Sequence, residues 1–202
     1  SFTLSNCKSI FEVKLLDKCA KEIEVDINFE GKNNPKFAEK IVKFFGKIAN
    51  EYPIVEQYKF QIESSNTFPH SSGIASSASS MAALAMCLEE LQYGMADIQR
   101  ASHTARIGSG SASRSVIPKL GWWGAHNAQP LSSNEYAIPV WEETDDVFHD
   151  FQNAILIASS GEKSVSSSLG HELMQNHIYG DIRFQNANQN IIELYGAMRE
   201  GD

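Results

Sequence analysis

Positive charge is scarce in this chain. Lys and Arg together number 17 against 25 Asp and Glu, a formal net charge of −8 over 202 residues. Binding to a nucleic-acid backbone needs a concentration of Lys and Arg that is missing here, so no nucleic-acid partner is expected. Cysteine is scarcer still. Cys7, Cys19 and Cys87 are odd in number and lack paired metal-ligand spacing, which predicts free thiols in a reducing compartment. No apolar run approaches the roughly 20 residues needed to span a bilayer, and nothing resembles a signal peptide. A cytosolic protein without a membrane partner is therefore expected. The six histidines are scattered, and His171-Glu172 does not extend to His-Glu-x-x-His because position 175 is Gln. No metal-ligating residue is assigned from the sequence.

The residues that are present suit a compact protein with a sizeable core, 42% of them hydrophobic. Phe11–Leu15 and Ile23–Ile27 alternate as half-buried strands do, and a turn is expected over Gly31–Pro35. Phe37, Ile41, Phe44, Phe45 and Ile48 fall on one side of a helix beginning at Pro35, a favourable first-turn residue. Tyr58–Glu63 reads as a strand, Ala96–Arg106 as a helix and Leu120–Gly124 as a strand. Ala125–Glu135 is polar and turn-rich, a linker or an excursion. Ala154–Ala158 is a buried-strand candidate. The segments around Leu173 and over Asp181–Met198 read as helical, with Ile191, Leu194, Tyr195 and Met198 as a core stripe.

Two Ser/Gly-rich segments lie about thirty residues apart. In the first, Pro69 and Gly73 punctuate a loop, and Met81, Leu84, Ala85, Leu88 and Leu91 follow at helical spacing. The loop therefore feeds a helix N-terminus, whose unpaired amides and positive dipole end favour an anion. Gly73 and Ala75 let the backbone approach, and Ser76 and Ser77 add hydroxyls. The same serines also fit a plain N-cap. The second segment runs Gly108-Ser109-Gly110-Ser111-Ala112-Ser113-Arg114-Ser115. Its glycines are expected to free the backbone, its hydroxyls to donate to an oxyanion, and Arg114 to offer a planar fork for phosphate or carboxylate. By composition alone it is also a solvated loop carrying an arginine.

Asn66-Thr67-Phe68-Pro69 through Gly73-Ile74-Ala75-Ser76-Ser77-Ala78 resembles the ATP-phosphate loop of the GHMP kinase superfamily, in the form Asn-x-Phe-Pro-x-x-x-Gly-Leu-Ala-Ser-Ser-Ala used by mevalonate diphosphate decarboxylases. Ala105-Arg106-Ile107-Gly108-Ser109-Gly110-Ser111-Ala112-Ser113-Arg114-Ser115 is similar to that family's Ala-Arg-x-Gly-Ser-Gly-Ser-Ala-Cys-Arg-Ser, with Ser113 in place of cysteine. Lys163–His171 resembles Lys-x-Val-Ser-Ser-Thr-x-Gly-Met, with Ser168 for threonine and His171 for methionine. Pro118-Lys119 stands where the family usually has Gly-Gly.

The resemblance implies an α+β, GHMP-kinase-like fold in two parts, a mixed sheet with helices, incomplete at both ends. Residues 1–124 would form the N-terminal ATP-binding-type domain without its first strand, 125–150 a connecting region, and 151–202 a partial C-terminal α+β domain. The family's Lys/Tyr-bearing first strand and its catalytic aspartate have no counterpart here. The connection over Leu91–Ala96 is shorter than usual. Implied chemistry is ATP- and Mg2+-dependent decarboxylation of mevalonate 5-diphosphate to isopentenyl diphosphate. By this resemblance Gly73, Ala75, Ser76 and Ser77 would hold ATP phosphates. Ser109, Gly110, Ser111 and Arg114 would hold substrate phosphate or carboxylate, and Ser166 and Ser167 the distal diphosphate. Asp97, Asp145, Asp146, Asp150 and Asp181 read as solvated or capping residues, so no general base is assigned, and these 202 residues alone are expected to be inactive. A homodimer is implied as well. The alternatives are a related GHMP small-molecule kinase, such as one acting on the mevalonate 3-hydroxyl, and a non-catalytic ligand-binding relative.

Overall fold

A computed structural model of the chain describes residues 1–18, 22–69, 74–156, 170, 172–174 and 177–202. It divides into two compact units, Ser1–Pro139 and Val140–Asp202. The first is built on a four-stranded sheet in the order β1-β4-β2-β3, with β1 Ser9–Lys18, β2 Val25–Phe29, β3 Lys32–Asn33 and β4 Tyr58–Asn66. β1 runs antiparallel to β4, and β2 parallel to it. The sheet is therefore mixed and helices pack on it, which is the expected α+β architecture.

Alternation decides which sheet face is buried. Phe11, Val13 and Leu15 of β1 pack on the core with Phe60 and Ile62 of β4, while Ile10 and Leu16 face outward. The expected turn at Gly31–Pro35 lies earlier. Glu30 and Gly31 both take positive φ, 52° and 74°, making a two-residue hairpin between β2 and β3. Lys32–Asn33 is strand, and Asn34 caps the next helix.

Helix α1, Pro35–Ile48, starts with Pro at its first positions and with the Asn34 side chain accepting the Phe37 N–H at 3.1 Å. Its apolar stripe buries Ile41, Phe44, Phe45 and Ile48. A single turn, α2 (Ile54–Gln57), leads into β4. Helix α3, Ser76–Tyr93, buries residues on most of its circumference, among them Met81, Leu84, Leu88 and Glu89, as a helix at the centre of a core must. Gly94 in the left-handed region closes it, its N–H donating to the Glu90 carbonyl at 2.9 Å. The short connection then delivers Asp97, whose carboxylate caps α4 (Ile98–Gly108) by accepting the Arg100 N–H at 2.7 Å.

After α4 come a four-residue helix, α5 (Ala112–Ser115), and a two-stranded ribbon, β5 Gly121–Trp123 with β6 Ala137–Pro139. The residues between the two strands form a turn-rich excursion fastened to α4. Arg106 and His103 bond to Glu135, and the Trp123 indole N–H donates to the Asn134 carbonyl at 2.9 Å.

In the second unit, α6 (Gly180–Glu200) buries Tyr195 and Met198. Asp145 caps a short 3-10 turn, and its N–H donates to the Met198 carbonyl at 2.8 Å. Leu194 of the expected stripe is 55% exposed and Ile191 38%, so the stripe is buried only at its C-terminal end. The expected strand at Ala154–Ala158 is not formed over its described part. Residues 154–156 carry no regular structure, and Leu156 is 96% exposed. An apolar run of that length becomes a strand only where a neighbouring strand and a core face receive it. Ile157 and Ala158 lie outside the described residues. Among the described residues no helix is long and apolar enough to cross a membrane.

Candidate functional site

Among the described residues no side chain caps the first turn of α3. The N-cap position is Ala75, in the left-handed region at φ 56° and ψ 40°, so neither Ser76 nor Ser77 is the cap. Ser76 is half-buried and Ser77 exposed, both inside the first turn. A left-handed residue followed by helical ones turns successive N–H groups toward one concavity, an arrangement that binds anions, and the α3 dipole adds to it. For a non-glycine residue this conformation costs about 1–2 kcal/mol, and such strain concentrates at ligand sites. Gly73 lies outside the described residues.

The second Ser/Gly segment is more ordered than its composition implies. α4 extends through Gly108, Ser109 is its extended C-cap, and Ala112–Ser115 is helical. Neither Gly108 nor Gly110 takes positive φ, so backbone freedom is not what these glycines supply. Gly108 supplies close approach, since a Cβ there would meet the Met81 sulfur at 2.7 Å. Met81 is five residues beyond Ser76, about 7.5 Å along the α3 axis. The end of α4 thus lies against α3 near its uncapped start, and α5 packs on both helices.

The polar groups here divide sharply. Ser113, at the position where the related motif has cysteine, is fully buried, and its hydroxyl donates to the Gly110 carbonyl at 3.1 Å. Its role is internal. The hydroxyls of Ser109 and Ser111 make no hydrogen bond among the described residues, and both side chains are half-buried. Arg114 carries a buried Nε with no hydrogen-bond partner among the described residues. Its guanidinium lies 5.9 Å from the centroid of the Trp123 ring, within cation–π range. A buried guanidinium N–H without an acceptor is costly unless a ligand supplies one. The two hydroxyls and this fork, on a segment packed beside the start of α3, form a donor-rich cluster of a kind that suits an anion.

Ser166 and Ser167 lie outside the described residues, as does the rest of 157–169. Two of the five surveyed aspartates are caps: Asp97 on α4 and Asp145 on the 3-10 turn. Asp146 lies 3.1 Å from His149 Nδ1. None points to a general base. Among the described residues no three His, Cys, Asp or Glu gather as a metal site.

Three residues that brace α4 and Arg114 have no assigned role in the sequence reading. Trp123 looked like one residue of a strand. Ser102 fell inside the expected helix Ala96–Arg106 and Glu135 at the end of the turn-rich stretch, and nothing in the one-dimensional pattern marks a mid-helix serine as buried or a loop glutamate as the anchor of Arg106.

Residues 1–135 match the model of the diphosphomevalonate decarboxylase-like N-terminal domain. The diphosphomevalonate decarboxylase of Schizosaccharomyces pombe is 29% identical over 203 residues, covering 98% of this chain and 46% of the relative. The crystal structure of mevalonate diphosphate decarboxylase from Staphylococcus aureus superposes with a TM-score of 0.79 at 27% identity, covering 98% of this chain and 58% of that one. A further structure, of MDDEF in complex with MVAPP, AMPPCP and magnesium, shares the fold at 23% identity, with a TM-score of 0.74 over 100% of this chain and 59% of its own. The matches cover 46% of the Schizosaccharomyces pombe relative and 30% of the diphosphomevalonate decarboxylase of Saccharomyces cerevisiae, less than half of either.

Proposed function

The chain belongs to the diphosphomevalonate decarboxylase-like family, and from that premise we propose that it serves the ATP-dependent decarboxylation of mevalonate 5-diphosphate to isopentenyl diphosphate, ADP, phosphate and CO2. The reaction phosphorylates a tertiary hydroxyl, expels the new phosphate and loses CO2 as the double bond forms. Two sets of anion donors are needed, one for each polyphosphate.

The uncapped turn of α3, with Ala75, Ser76 and Ser77, receives the ATP phosphates. Ser109, Gly110, Ser111 and Arg114 receive the phosphate or carboxylate of the substrate, and Gly73, Ser166 and Ser167 complete the two sets. Mg2+ keeps several waters and takes phosphate oxygens beside one or two protein oxygens. We therefore assign it to the polyphosphate and to no cage among the described residues. Trp123 beside Arg114 restricts where the guanidinium can sit and shields it from water.

The observation that carries this reading is the unpartnered, buried Nε of Arg114. Its test is a paired measurement of ADP and CO2 release by the whole protein and its Arg114→Met variant. We expect equal ADP and CO2 from the wild type, and a loss of at least a hundredfold in kcat/KM for mevalonate 5-diphosphate in the variant, from removal of charge-assisted hydrogen bonds. ADP without CO2 would make the protein a kinase of the 3-hydroxyl, and nucleotide binding without ADP release a non-catalytic relative.

A further inference from the structure

Arg114 stands on α5, a helix of one turn that cannot hold itself together, because nucleating a turn costs more than its first hydrogen bonds return. Something outside it must fix the arginine. The Ser102 hydroxyl does so from α4. Fully buried, it donates to the Ser113 carbonyl at 2.9 Å and accepts the Ala137 N–H at 2.8 Å. The Ser113 carbonyl belongs to the peptide that joins Ser113 to Arg114. Ala137 is the cross-strand partner of Trp123 in the β5–β6 ribbon, and the Trp123 ring faces the Arg114 guanidinium. One hydroxyl thereby connects the peptide that carries Arg114 with β6, the strand paired to the one that presents its aromatic neighbour.

We propose that Ser102 is a positioning residue for Arg114, setting the guanidinium against Trp123 so that the fork meets the anionic end of the substrate. The proposal rests on the function assigned above to Arg114. Ser102 touches no substrate in it. The serine acts by satisfying two buried backbone groups at once, so both lose their partner when its hydroxyl is removed.

Ser102→Ala in the whole protein is expected to raise the KM for mevalonate 5-diphosphate at least tenfold and leave the KM for ATP within twofold. In an Arg114→Met background the same substitution should add no further change in KM. A merely structural serine would reduce the amount of active protein without this split between substrates, and would act equally in both backgrounds. Ser102→Thr, which keeps the hydroxyl, should return the KM toward the wild-type value. Should the alanine variant not fold, Ser102→Cys, with a weak S–H donor in a similar volume, should show the same split at a few-fold. An unchanged KM for mevalonate 5-diphosphate, a parallel rise for both substrates, or an undiminished effect beside Arg114→Met would overturn the proposal. Arg114→Met with unaltered affinity would instead remove the reading on which it rests.

Discussion

Gly108 and Met81 are packed so closely that a methyl group on Gly108 would lie 2.7 Å from the Met81 sulfur and 3.0 Å from its Cγ, with the Phe44 ring at 3.3 Å. Met81 is 6% exposed, so it has little room to withdraw. This contact sets how near the end of α4 comes to the start of α3, and with it the spacing of the two Ser/Gly segments.

Gly108→Ala should therefore destabilise the protein, although Gly to Ala inside a helix ordinarily gains about 1 kcal/mol. Overpacking of this kind costs about 1–3 kcal/mol, and we expect a net loss of about 1 kcal/mol in urea unfolding. Met81→Ala alone should cost about 2–5 kcal/mol. The double variant should cost less than the sum, because the cavity left by Met81 accepts the new methyl group. Strict additivity would show that the two residues do not share this contact.

The difference between Gly108 and Phe44 also explains what the sequence made legible. α1 was readable because its five apolar residues repeat at a helical period and Asn34-Pro35 marks the start. The proposal that the Ser/Gly segments bind anions came from residue chemistry and from the family resemblance. The helical state of Ala112–Ser115 was not, because Ser and Gly have weak local preferences and the conformation is imposed by packing on α3 and α4. Ala75 at positive φ and the pair of bonds made by Ser102 are likewise tertiary facts. Glu89 gave the same difficulty, since a glutamate near the end of a helix reads as solvated until its partners are known.

Glu89 has no exposed surface, and Arg100 binds it with its Nε 2.8 and 2.9 Å from the two carboxylate oxygens and a terminal nitrogen at 2.8 Å. The Asp97 N–H donates to it at 3.1 Å and the Tyr52 hydroxyl donates as well. Glu89→Gln should cost about 1–3 kcal/mol, since several buried donors keep only one good acceptor. Arg100→Ala should be the more damaging substitution. It strands a buried carboxylate, whereas an arginine left without Glu89 can turn its partly exposed head to water. The reverse order in chemical denaturation would show that the Glu89 charge is solvated or otherwise compensated.

Lys119 holds φ at 62°, a left-handed conformation that favours glycine. Its carbonyl accepts the Thr3 N–H at 2.8 Å, and the Gly121 N–H donates to the Ser1 carbonyl at 2.7 Å. The backbone path is therefore fixed although the residue type is unsuited to it. Lys119→Gly should relieve about 1–2 kcal/mol of left-handed strain and lose about 0.4–1 kcal/mol through the freer unfolded chain. We expect a gain of about 0.5–1 kcal/mol in unfolding free energy, read as a higher denaturant midpoint at unchanged m. A loss would mean that the lysine side chain contributes more than its backbone strain takes away.

Tyr52 makes the pH dependence testable. Its ring is fully buried, edge-on to Tyr93 at 5.7 Å, and its hydroxyl bonds to Glu89 and lies 2.8 Å from Thr104 Oγ1. Burial, followed by the hydrogen bond to the Glu89 carboxylate, pushes the phenol well above its ordinary value of 10.0. The folded state thus favours the neutral form more than the unfolded state does. That contribution to stability is complete below pH 10 and declines as the pH rises beyond it, because unfolding then releases a proton from this residue. Absorbance at 295 nm should accordingly show one tyrosine ionising only with the alkaline unfolding transition. Tyr52→Phe should remove that amplitude and flatten the fall of stability above pH 10. At neutral pH it should cost about 1–3 kcal/mol, through the donor that Glu89 loses. Ionisation of Tyr52 near pH 10 in protein that is still folded would show that its hydroxyl is open to solvent and not bound to Glu89.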